Sequence, residues 1–98
     1  MKSMRKERPM AEEWKPRERE LVIDGLEWVG RMADKARAQH GGYIGEYIYP
    51  CPMDQQVLRD LGMSADEFKQ IAVDAGTDSD LAAKVKEVSG KETVVSPT

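Results

Sequence analysis

At 98 residues the chain holds one domain, and its 40% apolar content suffices for a single small core. With only 6% aromatic residues, that core rests on Leu, Ile, Val, Met and Ala. The net charge of −3 is uneven, near +2 over residues 1–20 and −5 over residues 21–98, and an acidic body is a poor general nucleic-acid binder, because phosphate recognition rests largely on Lys and Arg.

Residues 1–20 carry no sustained apolar period. Met1, Met4, Met10 and Trp14 are scattered among charges, and Pro9 and Pro16 interrupt any helix. This reads as a charged, partly disordered arm, with Trp14 docking on the body and the basic start "MKSMRKER" solvated. "IDGLEWVGRMADKARAQH" predicts the first helix, with Asp24 as N-cap and Glu27 completing a box-like signal. Leu26, Val29, Ala33 and Ala36 share a face, and Glu27–Arg31 is a favourable i,i+4 pair. Gly30, in mid-helix, costs up to about 1 kcal/mol against Ala and so implies a close contact or a bend. Gly41 and Gly42 stop the helix.

"YIGEYIY", Tyr43–Tyr49, is rich in β-formers and has no helical period. It predicts an ordered extended segment: a strand if residues 21–23 or 93–95 pair with it, otherwise a loop packed on the helices. "CPMDQQVLRDLG" is a short second helix with Val57, Leu58 and Leu61 inward and Gly62 as its stop. "SADEFKQIAVDAG" is the third. Ser64 and Glu67 form a capping box, Phe68, Ile71, Ala72 and Ala75 make the stripe, and Gly76 ends it. In "TDSDLAAKVKEVSG" Thr77 and Asp80 cap the start, Leu81, Val85 and Val88 face inward, and Gly90 terminates. Residues 91–98 read as a mobile tail. The expected fold is therefore mainly α: a small single domain of about four helices over residues 21–90, with one extended ordered segment between helices 1 and 2.

Three stretches, "DKARA" at Asp34–Ala38, "GEYIYPCPMDQ" at Gly45–Gln55 and "LGMSADEF" at Leu61–Phe68, together with "KPRERE" at Lys15–Glu20, resemble a family of small bacterial proteins known as domain-of-unknown-function family 5069. The similarity covers about residues 16–88, and the Gly-Glu-Tyr to Cys-Pro-x-Asp segment is its most specific part. The resemblance implies a small, mostly helical domain and brings no activity, substrate or cofactor.

Chemistry therefore rests on the residues. Cys51 lies between Pro50 and Pro52, which fix the backbone on both sides. If Pro52 opens the second helix, Cys51 is its N-cap and its thiol faces the helix dipole and free N–H groups. If Asp54, the better capping residue, is the N-cap, Cys51 is a small packed hydrophobe, and this second register is the expected one. Glu46 stands in an otherwise apolar run, and the expected role is a half-buried ion pair with Arg31, Lys35 or Arg37. Tyr43, Tyr47 and Tyr49 share a face if the run is extended. His40, Glu46, Cys51 and Asp54 match no zinc spacing, and "GGYIG" lacks the Gly-Lys-Ser/Thr of a phosphate loop, so no metal or cofactor is implied. The helical pair after Ser64 has the short connector of a helix-turn-helix, but its acids argue against DNA.

No run approaches the ~18 apolar residues of a membrane span, no apolar stretch follows the basic start as in a signal peptide, and one cysteine forms no intrachain disulfide. A cytosolic protein is expected. The leading functional expectation is a non-enzymatic binding or protein-interaction module for a protein partner or small molecule, using the first helix and the Gly41–Asp54 segment: Arg31, Asp34, Lys35, Glu46, Tyr47, Tyr49, Cys51 and Asp54. The alternative is a small thiol- or acid/base-dependent enzyme centred on Cys51 with Glu46 or Asp54. Self-association through the tyrosine-rich stretch is a third reading.

Overall fold

The computed structural model describes residues 14–97; the basic start and Thr98 lie outside that range. A short hairpin, β1 (Val22–Ile23) and β2 (Leu26–Glu27), precedes four helices: α1 (Val29–Gly41), α2 (Pro52–Leu61), α3 (Ala65–Asp74) and α4 (Asp78–Ser89).

The hairpin corrects the expected start of the first helix. Asp24 and Gly25 both take positive φ, 50° and 86°. A two-residue hairpin loop of the primed type needs this, and Asp-Gly is among the pairs that tolerate it. Val22 then pairs with Glu27 and Ile23 with Leu26. Asp24 is thus a turn residue rather than an N-cap. Glu27 lies in a strand, where its carboxylate accepts the Ser96 N–H at 2.9 Å, and makes no helical pair with Arg31. The N-cap of α1 is Trp28, at φ 71° with no side-chain cap. A left-handed non-glycine residue costs roughly 1–3 kcal/mol. The packing of the indole, which is 2% exposed, and its bond to Asp54 impose the conformation.

Gly30 proves to be a close approach. A Cβ there would sit 2.7 Å from Leu21 Cδ2 and 2.9 Å from Ile23 Cδ1, so these side-chain ends rest directly on the backbone at the start of α1. The other face of α1, with Met32, Ala33 and Ala36 fully buried, packs chiefly on α3. Phe68, Leu81, Val85 and Val94 complete the core. Ser64 and Glu67 form the reciprocal capping box of α3 (3.0 and 2.8 Å), and Thr77 Oγ1 accepts the Asp80 N–H at 3.0 Å to cap α4. α3 ends at Asp74 with Ala75 as C-cap, one residue before Gly76. Val88, expected inward, is 48% exposed.

Tyr43–Tyr49 forms turns and no strand. The two segments that could have paired with it serve the hairpin. Residues 22–23 form β1, and Val94 bridges Leu26, accepting the Glu27 N–H at 3.0 Å and donating to Gly25 O at 3.2 Å. Val94, in the segment expected as a tail, is 2% exposed.

Candidate functional site

A buried polar cluster joins α1 to the start of α2. Pro52 occupies the first turn of α2, and Cys51 is its N-cap. The expected register, with Asp54 as cap, is overturned, because Asp54 sits at the third helical position and reaches back. Its Oδ2 accepts the Cys51 N–H at 3.0 Å, while the Cys51 sulfur accepts the Asp54 N–H at 3.4 Å. A thiol and a carboxylate thus make the reciprocal box that Ser and Glu usually make. Asp54 is fully buried. A carboxylate so placed must be paired and hydrogen-bonded. Lys35 Nζ stands 2.8 Å from Oδ2, and the Trp28 indole N–H donates to Oδ1 at 2.8 Å. Lys35 is itself only 4% exposed and also donates to the Cys51 sulfur at 3.3 Å.

Above this cluster opens a cleft of about 270 Å³, lined by Arg19, Trp28, Arg31, Lys35, Glu46, Tyr47, Ile48, Cys51 and Met53. Lys35 and half-buried Cys51 belong to its floor. The Arg19 guanidinium lies 5.5 Å from the Trp28 ring centroid and that of Arg31 lies 5.8 Å from the Tyr47 ring, both within cation–π range. Among the described residues neither arginine pairs with a carboxylate, and Arg31 Nη1 donates to Arg17 O at 3.0 Å. Ile48, 64% exposed, forms an apolar lip.

Glu46 does not make the expected ion pair. It is exposed, and among the described residues no Lys or Arg lies within ion-pair distance of it. Lys35 is held by Asp54, Arg37 by Asp34 at 3.6 Å and by a bond to Ala72 O, so two of the three cations proposed for Glu46 are already engaged. The tyrosines part company. Tyr49 is buried and donates to Ala65 O at 2.6 Å, whereas Tyr43 and Tyr47 flank the Trp14 ring edge-on at 5.5 and 5.6 Å. Burial, with the Asp54 and Asp66 carboxylates adding to it, pushes the Tyr49 phenol up, so it stays a donor.

Of the eight residues expected at a binding surface, the cleft gathers Arg31, Lys35, Glu46, Tyr47 and Cys51. Asp54 lies beneath it. Asp34 belongs elsewhere, in a clamp. Arg17 grips Asp34 (2.9 and 3.1 Å) and Asp78 (2.7 and 3.1 Å) with paired bonds, and its backbone N–H donates to Asp34 at 2.8 Å. The bonds to Asp78 and then to Asp34 raise the Arg17 guanidinium further, and Arg17 holds the Asp78 carboxyl below its ordinary value. Arg19, Trp28, Ile48 and Met53 were not expected in the cleft. Arg19 stands in a charged run of the arm, and Trp28 in an apolar stripe, so neither carries a local signal.

The family model for a domain of unknown function, DUF5069, matches residues 13–95. The chain belongs to the DUF5069 family. The DUF5069 match takes in the Arg17–Asp34–Asp78 clamp, the Lys35–Asp54–Cys51 cluster and every residue of the cleft. No curated protein matches the chain. Among the described residues no group of His, Cys, Asp or Glu is placed to hold a metal ion, and no helix is long and apolar enough to cross a membrane.

Proposed function

We propose that this protein is a non-enzymatic cytosolic binding module whose cleft, between the arm, α1 and the Gly41–Asp54 segment, takes the anionic group of a small molecule or of a partner chain. One observation carries the reading. Arg19 and Arg31 converge on one opening, each resting on an aromatic ring and neither paired with a carboxylate among the described residues, in a protein of net charge −3. Because Lys35 is neutralised by Asp54, the cleft presents, among the described residues, two cations against the single carboxylate of Glu46. Guanidinium groups bind carboxylate and phosphate through paired hydrogen bonds. The volume, about 270 Å³, lies just below the usual range for ligand sites, which suits a small acid or the acidic tip of a larger partner.

Titrating isotope-labelled protein with succinate and with inorganic phosphate at constant ionic strength tests it by NMR. Saturable shifts at Arg31, Tyr47 and Ile48, abolished in Arg31→Gln with the melting temperature retained, are expected. Shifts that stay linear, or that chloride reproduces, would refute the reading.

Thiol chemistry at Cys51 is the second reading. Its support is a half-buried sulfur on the cleft floor that accepts N–H bonds from Lys35 and from the α2 N-terminus. Asp54, fully buried and bonded to Lys35, Trp28 and Cys51, offers no accessible oxygen to act as a base, which leaves Glu46 for that role. Iodoacetamide labelling of the folded chain decides it: no adduct until urea unfolds the protein ends this reading.

A further inference from the structure

α3 and α4 form a V whose outer side is a second groove, remote in sequence from the cleft and opposite in charge. Its volume is about 520 Å³. The floor is apolar: Ile71 and Ala75 are partly buried and Val88 is 48% exposed. Val88 falls on the inward period of α4, with Leu81 and Val85 at i−7 and i−3, yet no element of the described residues covers it. The rim is acidic, formed by Glu67, Asp74 and Asp80. Gln70 donates to both Asp74 oxygens at 3.1 Å, which orients that carboxylate without neutralising it. Among the described residues the one cation on the rim, Lys84, pairs at 3.5 Å with Glu87, outside the groove.

Asp80, Lys84 and Val88 lie at i, i+4 and i+8, so the α4 wall runs two turns, about 12 Å at 1.5 Å per residue. A groove of that length, with an apolar floor and a rim of three carboxylates and one ammonium, matches two turns of an amphipathic helix, with bulky residues at i, i+3/i+4 and i+7 entering the groove and basic residues flanking them. We infer that the α3–α4 groove docks a basic amphipathic helix of a partner protein. The charge complement decides the class of partner: an acidic or neutral helix with the same apolar stripe would leave three rim carboxylates facing either like charge or nothing.

The probe is a synthetic helical peptide of about 16 residues, long enough to hold helix in water, with a leucine stripe flanked by Lys and Arg. Two controls accompany it: the same stripe flanked by Glu, and a scramble of the basic peptide that destroys the stripe. With full-length labelled protein, the basic peptide is expected to give saturable shifts at Ile71, Ala75 and Val88. Asp74→Lys with Asp80→Lys weakens it at least about tenfold and lets the acidic peptide bind instead. Val88→Asp, on an exposed site, abolishes binding of both with the melting temperature kept. The inference fails if the scramble binds as well as the stripe, if the shifts map to Arg31 and Tyr47, or if no shift saturates. It also fails if a different occupant already holds the groove. That would be shown by a concentration-dependent mass that Val88→Asp abolishes, or by shifts at Val88 when Lys2, Arg5, Lys6 and Arg8 are replaced by Ser.

Discussion

Removing either member of the Lys35–Asp54 pair should cost far more than any surface substitution. In Lys35→Met the Asp54 carboxylate, fully buried, keeps the Trp28 and Cys51 N–H donors but loses its only counter-charge among the described residues. Leaving one member of a buried pair uncompensated costs about 3–5 kcal/mol. In Asp54→Asn the amide NH2 faces either the Lys35 ammonium and the Cys51 N–H or the indole N–H, donor against donor, and the ammonium is left unpaired, so a similar cost of about 3–5 kcal/mol is expected. If the two positions were independent, the double variant would lose about 6–10 kcal/mol. Because each single change already destroys the pair, Lys35→Met with Asp54→Asn should lose little more than either alone, a coupling of about 3 kcal/mol. Urea unfolding followed by tryptophan fluorescence measures all four chains, and a loss of 3 kcal/mol lowers the melting temperature of a domain this size by roughly 12 °C or more. Single losses below about 1 kcal/mol, or additivity in the double variant, would refute the buried-pair account.

Cys51→Ser should keep the N-cap of α2, because a hydroxyl accepts the Asp54 N–H as the sulfur does, whereas Cys51→Ala should lose about 1 kcal/mol by urea midpoint. Gly30→Ala gains helix propensity but drives a methyl within 2.7 Å of Leu21 and 2.9 Å of Ile23. Both contacts are terminal methyls that can turn aside, so overpacking about cancels the gain, and a net change below about 1 kcal/mol is expected in the same assay. Arg17→Met removes the group that holds Asp78 low. Since the folded value of Asp78 lies below its ordinary 3.8, the stabilisation is present above that value and fades as pH falls through the folded one. The gap in melting temperature between wild type and Arg17→Met should therefore be full at neutral pH and shrink below pH 3.8.

The helices were legible where a local signal is complete. Ser64 with Glu67, Thr77 with Asp80, and the glycines at 62 and 90 mark their own helix ends, because capping uses atoms only a few residues apart. The start of α1 was not. Asp24 with Glu27 imitates a capping box, but Asp24-Gly25 is equally a hairpin turn, and the choice is made by Val94, some seventy residues on, which supplies the bonds that hold β2. The cleft divides the same way. The gathering of Arg31, Lys35, Tyr47 and Cys51 follows from one helix and the segment after it. Arg19 enters through the clamp of Arg17 on two distant helices, and the burial of Asp54 depends on Trp28 across the core, so neither is written in nearby residues.

The clamp and the cleft are one construction. Arg17 is fixed by its side chain to α1 and α4, by its N–H to Asp34, and by its carbonyl to Arg31. Arg19 follows two residues later, within about 7 Å of chain, so the residue that locks the arm also delivers one cleft arginine and orients the other. Arg19 then rests on Trp28, whose indole N–H reaches Asp54, which holds Lys35 at the floor. A buried ion pair is a poor way to gain stability, since apolar residues of the same volume often do as well. It is a good way to fix positions, because its bonds have direction. Cations held before a ligand arrives lose little freedom on binding, which lowers the ordering cost of association. On the proposed reading this is what the polar core secures: an acidic protein keeps two arginines aimed at one opening, with their backbone anchors and ring supports already in place.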